Sequence, residues 1–167
     1  QYFGGGMLGY DRDNFSIYYR LDYLDESIHN LGAVNDLDPQ TEPHANDVEF
    51  STDRWMHQVQ AEWQTGRWRL NPVLSYTDYS RRSEAFTTFL TSHLEAGRRS
   101  LQDTRYRSLF FRNTAAAESF KWGSLQFGVE STYDRNAGST LSAGEKEMLD
   151  VALFASAELT VSNRLSV

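Results

Sequence analysis

Residues 14–24 read NFSIYYRLDYL. Phe15, Ile17, Tyr19, Leu21 and Tyr23 fall on one side of an extended chain, and Ser16, Tyr18, Arg20 and Asp22 on the other. Successive side chains of a strand point to opposite faces, whereas a helix would scatter both sets around its circumference. The same period returns in residues 54–64, where Trp55, His57, Val59, Ala61 and Trp63 oppose Gln58, Gln60, Glu62 and Gln64. After the tight-turn pair Thr65-Gly66, residues 67–79 set Trp68, Leu70, Pro72, Leu74 and Tyr76 against Arg69, Asn71, Val73, Ser75 and Thr77. Proline cannot donate to a ladder, so a bulge is expected at Pro72. Residues 124–133 and 148–160 alternate cleanly. Residues 105–117 are less regular, with Leu109, Phe111, Ala115 and Ala117 opposing Arg112, Thr114 and Glu118 while Asn113 falls on the apolar side. Residues 2–10 and 164–167 read as partial strands.

Short connections are expected near 11–13, 65–66, 119–123 and 161–163, and long ones through 25–53, 80–104 and 134–147. Alternation of short turns with long loops is the pattern of an up-and-down outer-membrane barrel, turns on the periplasmic side and loops outside. Strands of about ten residues match what a tilted strand needs to cross a bilayer. The chain begins at Gln1 in one strand-like stretch and stops at Val167 in another, so both ends are expected to be cuts in a longer chain.

Composition narrows the classes. Aromatics are 14% and hydrophobic residues 40% of 167 residues, richer than a disordered chain. The absence of cysteine excludes disulfide scaffolds and thiolate chemistry. A net charge of −7 argues against non-specific nucleic-acid binding, which needs clustered cations. No run of about 18 apolar residues exists to make a transmembrane helix, but a barrel strand needs none.

A soluble sandwich also alternates. Two features favour lipid. The apolar stripes carry no Lys or Arg in their central stretch, where an arginine facing lipid would cost roughly 2–4 kcal/mol. Aromatics gather at both strand ends: Tyr10, Phe15, Trp63, Trp68, Phe120 and Trp122 beside the short turns, and Tyr23, Trp55, Tyr76, Tyr79, Tyr106 and Tyr133 beside the long loops. Rings at two interfaces make the aromatic girdle of a membrane barrel, to which Trp55, Trp63, Trp68 and Trp122 would contribute. The expected fold is all-β, an antiparallel transmembrane β-barrel segment of about seven or eight strands.

The segments RDNFSIYYRLDYLDE (12–26), WRLNPVLSYTDYSRR (68–82), RSLFFRNTAA (107–116) and LFASAELTVSNRLSV (153–167) resemble the barrel of TonB-dependent outer-membrane receptors. The resemblance implies a 22-stranded barrel with an N-terminal plug inside it, of which this chain would be one part. It implies uptake of a scarce ligand (siderophore, haem, cobalamin, glycan or peptide) driven by TonB, and location in the outer membrane of a Gram-negative bacterium. Lipopolysaccharide, the plug, the other barrel strands and a surface lipoprotein would be its partners.

Segment 25–53 carries Asp25, Glu26, Asp36, Asp38, Glu42, Asp47, Glu49 and Asp53. Carboxylates suit calcium, with Asp36 and Asp38 the sharpest pair, but a solvated acidic loop is the preferred reading. Arg81, Arg82, Arg98 and Arg99 in segment 80–104 could grip phosphates bidentately; pairing with the acidic loop is preferred. His29, His44, His57 and His93 lack metal spacing and read as isolated surface residues. Arg20, Asp22, Glu62, Arg69, Arg112, Glu130 and Glu158 would face a lumen or plug, or pair with one another across strands. Nothing supports an enzyme, and no cofactor is required. A passive porin or small anchoring barrel, and a secreted ligand-binding β-sandwich, remain the alternatives.

Overall fold

The computed structural model describes residues 1–36, 41–120, 123–139, 141, 144–162 and 165–166, with side chains undescribed at 118–120, 159–162 and 165–166. The alternating stretches form strands in one sheet: β1 (Tyr2–Arg12), β2 (Phe15–Asn30), β3 (Val34–Asn35), β4 (His44–Thr65), β5 (Trp68–Phe89), β6 (Glu95–Phe120), β7 (Gly123–Gly138), β8 (Glu145–Ser162) and β9 (Leu165–Ser166). The order is β1-β2-β4-β5-β6-β7-β8-β9, every neighbour antiparallel, with the two-residue β3 pairing beside β4. The fold is an all-β up-and-down meander. It is not closed: β1 lies at one edge and β9 at the other.

Two-residue turns make the tight ends. Arg12 pairs with Phe15 across Asp13-Asn14, and Asp13 takes a left-handed φ of 45°, which its short polar side chain tolerates. Thr65 pairs with Trp68 across Gly66-Arg67, where Gly66 has φ 60°. Glycine meets that requirement without a Cβ penalty.

The other ends differ from expectation. The connections are 31–43, which contains β3, then 90–94 and 139–144, far shorter than the segments read as loops. β4 and β5 each run 22 residues and β6 runs 26. At about 3.3 Å per residue, β4 is roughly 70 Å long, well beyond a bilayer. The paired backbone therefore continues past the segment where apolar alternation identifies it.

Pro72 also corrects the sequence reading. No bulge occurs there: Pro72 faces Asn113 in a continuous β5–β6 register. On the β4 side the register is the same before and after, Gln60 to Val73 and Trp63 to Leu70, with the pairs between them interrupted. The missing N–H leaves a gap in the ladder without a shift. The β5–β6 irregularities lie instead at Ser83/Glu84 and Ala85/Thr87, near the far end.

There is little core in the usual sense. Among the described residues only Ala45, Phe86, Ala115 and Ala117 are buried hydrophobics, while Leu74, Leu109, Phe111, Phe127, Val151 and Leu153 are exposed on the same face. Cross-strand fit on the opposite face is tight at Gly128. A Cβ there would lie 2.6 Å from the Asn113 carbonyl oxygen and 2.5 Å from the Phe154 ring. Gly6, by contrast, has open space around it. Gly128→Ala is expected to lower unfolding stability by about 1–3 kcal/mol through overpacking, and Gly6→Ala to leave it unchanged or raise it slightly; denaturant titration in lipid vesicles measures both.

Candidate functional site

The register assigns every side chain to a face, since residues directly opposite in a ladder share one. Phe15, Tyr19 and Tyr23 sit opposite Trp63, Val59 and Trp55; Trp63, Val59 and His57 sit opposite Leu70, Leu74 and Tyr76. Leu74 and Tyr76 continue to Phe111 and Leu109, then to Ser131 and Tyr133, then to Val151 and Leu149. One face thus carries an apolar band across the sheet. The loosely patterned strand 105–117 joins it in the expected register, with Asn113 on that face. Its Oδ1 is buried without a hydrogen-bond partner among the described residues.

Rings mark both borders of the band. Phe15, Trp63 and Trp68 lie beside the tight turns, and Tyr23, Trp55 and Tyr76 lie eight residues further along β2, β4 and β5. Eight residues span about 26 Å of strand. Tyr23 and Trp55 rings are 4.3 Å apart, and Trp68 meets Phe127 edge-on at 5.5 Å. His57 is not isolated: Tyr19 OH lies 2.8 Å from its Nδ1, its ring is stacked with Trp55 at 6.4 Å, and the Tyr76 ring lies tilted at 6.2 Å. Tyr79 and Tyr106 pair with each other on the opposite face, so they do not join this girdle. Trp122 lies outside the described residues.

Above the upper rings the same face turns polar. Tyr23 OH donates to Asp53 at 3.0 Å and Tyr76 OH to Asp78 at 3.4 Å. Asp78 in turn receives Arg105 through Nε and Nη2 at 3.0 and 2.6 Å, and Arg107 Nε at 3.3 Å.

The opposite face gathers all of Arg20, Asp22, Glu62, Arg69, Arg112, Glu130 and Glu158. Six of them pair among themselves: Arg20 with Asp22 at 2.7 Å, Arg69 with Glu62 at 3.5 Å, and Arg112 with Glu130 at 3.3 Å. Glu158 is exposed. Arg112 also lies over the Phe154 ring at 5.6 Å. Asp22 is buried, whereas the other five side chains are half-exposed; pairs of half-exposed charges contribute little individually.

At the far tip, Asp47 is 1% exposed and receives three donors: Gly32 N at 2.9 Å, Thr88 Oγ1 at 2.7 Å and His29 Nε2 at 3.1 Å. Gly32 is required, because a Cβ would strike the Asn46 carbonyl. The residue read as part of a solvated loop is a buried pin that fastens 29–32 to β4 and β5. Arg98 completes the tip, bonding Glu49, Glu84 and Glu95 at 2.9–3.0 Å over the Phe86 ring. The Asp47 cluster was missed because Asp47, His29 and Thr88 are far apart in sequence and no short motif links them, whereas pairing of Arg98 with the acidic segment was the expected arrangement.

The remaining candidates separate. Asp38 lies outside the described residues, and Asp36 is exposed. No cluster of three or more His, Cys, Asp or Glu side chains able to hold a metal occurs among the described residues. Arg82 approaches Asp103 at 3.9 Å, Arg81 lies over Phe50 at 4.9 Å, and Arg99 is exposed. All four arginines stand on strands β5 and β6 rather than in a loop.

No family model matches the sequence, and no curated protein matches it. A solved structure does: BauA, the ferric preacinetobactin receptor from Acinetobacter baumannii, with a TM-score of 0.57 and 12% identity. The likeness covers 98% of this chain and 29% of that receptor. It establishes a similar fold, and the chain spans less than a third of the receptor it matches.

The Gly32 N–H and the Thr88 hydroxyl hold the Asp47 carboxyl below its ordinary range, and Arg98 and Ser27 do the same for Glu49. A depressed folded-state value means that the stabilisation is whole above about pH 4, the unfolded carboxylate range, and is lost as pH falls through the folded value. Amide-exchange protection of residues 29–32 and 44–47 is therefore expected to stay flat from about pH 7 to 5 and to drop below about pH 4. Asp47→Asn should loosen the same segment at neutral pH by about 1–3 kcal/mol, the cost of leaving buried donors poorly paired.

Proposed function

We propose that this chain is part of the wall of an outer-membrane barrel of a Gram-negative bacterium, belonging to a TonB-dependent receptor that takes up a scarce nutrient. The observation that carries the membrane reading is the exposed apolar band on one face of a single sheet, bordered by rings eight residues apart on three consecutive strands. Monomeric soluble proteins rarely expose a continuous apolar surface beyond a few hundred Å², and lipid is the solvent that fits this one. The opposite face, lined with paired Arg and Glu, suits contact with water and a hydrated plug domain. The open edges suit pairing with further strands of the same barrel.

The receptor part of the reading is supported by the fold shared with BauA and by the resemblance of the strand segments to TonB-dependent receptors. Long strands standing above the ring border, with a pinned tip, would raise a rigid rim on the outer surface where a ligand or a surface lipoprotein could dock. The role is transport, with the chemistry left to the ligand; no catalysis is proposed. Calcium would be a loop ligand only if 37–40 supplied carboxylates beside Asp36.

Two experiments test it. Leu74 and Ser75 are adjacent but face opposite ways. Leu74→Arg is expected to lower stability in vesicles by about 2–4 kcal/mol, as for an arginine placed at mid-bilayer, and Ser75→Arg to change it much less. Equal effects would remove the lipid face. For uptake, growth on strongly iron-chelated medium that depends on the protein should disappear when TonB is deleted. Growth that persists without TonB would point to a passive pore.

A further inference from the structure

At the far tip β6 outruns one of its neighbours. Its pairing with β7 ends where Thr104 meets Gly138. Ser139 closes that end, donating its N–H to the Asp103 carbonyl and accepting the Asp103 N–H on Oγ. β6 continues to Glu95 with β5 alone beside it. Residues 95–102 thus leave one backbone edge that no described residue pairs with. The edge is roughly 26 Å long at the usual rise, and every residue from Thr91 to Asp103 is exposed. β7 and β8 already occupy the neighbouring places and turn back before reaching it, so strands added beyond β1 or β9 would leave it open. An open edge is a template on which another extended chain can build a strand.

Both irregularities of the β5–β6 ladder fall in this same stretch. From Trp68 opposite Ala117 to Ser83 opposite Gln102 the ladder is unbroken. Beyond it, Glu84 meets Ser100, Ala85 meets Arg99, Thr87 meets Ala96 and Thr88 meets Glu95. β6 therefore carries one extra residue at Leu101 and a second between Arg99 and Ala96. Arg98 lies over the Phe86 ring, which makes Gly97 the second extra residue. Gly97 has a φ of 66°, and a Cβ there would meet nothing within 4 Å, so its backbone conformation and not crowding calls for glycine. A left-handed glycine is the first residue of one common bulge type, and bulges bend their strand and sharpen its twist. Arg98, bonded to Glu49, Glu84 and Glu95, holds the bent segment against β4 and β5.

We infer that the two bulges guard this edge, curling it so that no further strand can lie along it. β6 is regular against β5 wherever β7 covers its other side, and bulged where β7 has ended. The pairing with β5 does not itself need the extra residues. Removing Leu101 and Gly97 would join the same cross-strand pairs into one continuous ladder without moving any of them. What the bulges change is the shape offered on the open side. A flat edge there would take up stray extended chains or the edge of a second molecule.

The test compares the whole protein in detergent micelles with a variant lacking both Leu101 and Gly97. The probe is a fluorescent synthetic peptide, SEAFTTF, the sequence of residues 83–89 that pairs with this segment on its closed side. Anisotropy reads peptide binding, and migration on an unheated gel reads folding. Arg98 and Arg99 are present in both proteins, so attraction to the peptide glutamate is the same in each. The double deletion is expected to bind the peptide at least about tenfold more tightly than the wild type, about 1.4 kcal/mol. The gain should vanish when the peptide carries Phe86→Pro, which cannot complete a ladder. Should the double deletion fold poorly, deletion of Leu101 or of Gly97 alone is expected to shift binding in the same direction. A wild type that binds the peptide as tightly as the folded variants, or folded variants that bind it no better than the wild type, overturns the inference.

Discussion

Everything in this structure follows from an apolar stripe that the chain does not cover. In a sandwich a second sheet would lie about 10 Å away and bury it. Here a single layer carries Leu74, Leu109, Phe111, Phe127, Val151 and Leu153 outward. With no helix or second sheet against them among the described residues, the solvent must supply the apolar contact. On the membrane reading proposed above, a bilayer would supply it and would also account for the rest: backbone groups satisfied across strands, rings at the borders, and charges confined to the other face or above the band.

The three zones of the outward face follow depth. Between the rings the face is apolar. At the upper border Tyr23 and Tyr76 turn their hydroxyls toward Asp53 and Asp78. Above it the same strands carry Asp78–Arg105 and the Arg98 hub, where water screens such pairs and each contributes little alone. The tip then regains a small core of Phe86 and Ala45 around the Asp47 pin, which explains how strands more than twice as long as the apolar band stay paired so far beyond it.

How much of this could be read in the sequence depends on depth in the same way. Between the rings, one face is apolar and the other polar, so a period of two is visible and the strands and their two faces were legible. Asn113 and the register of 105–117 followed from that period as well. Above the rings both faces carry polar side chains, and the period disappears although the ladder does not. Residues 44–53, 80–89 and 95–104 therefore read as loops, Asp47 and Glu49 as solvated charges, and Arg98 as a loop residue pairing with the acidic segment. Pro72 misled for a different reason: losing one donor interrupts a ladder locally, but the fixed turn at Gly66-Arg67 and the matched stripes on either side hold the register. His29 and His57 looked isolated because their partners, Asp47 and Tyr19, come from other strands.

The chain has no cysteine, so single cysteines can be spin-labelled without background. Labels placed one at a time along residues 149–156 in vesicles report directly whether one face meets lipid. Oxygen, which concentrates in acyl chains, should reach labels at 149, 151, 153 and 155, and a water-soluble nickel chelate should reach those at 150, 152, 154 and 156. The chelate reaching both sets equally, or no alternation at all, would contradict a sheet with one face in lipid and the other in water.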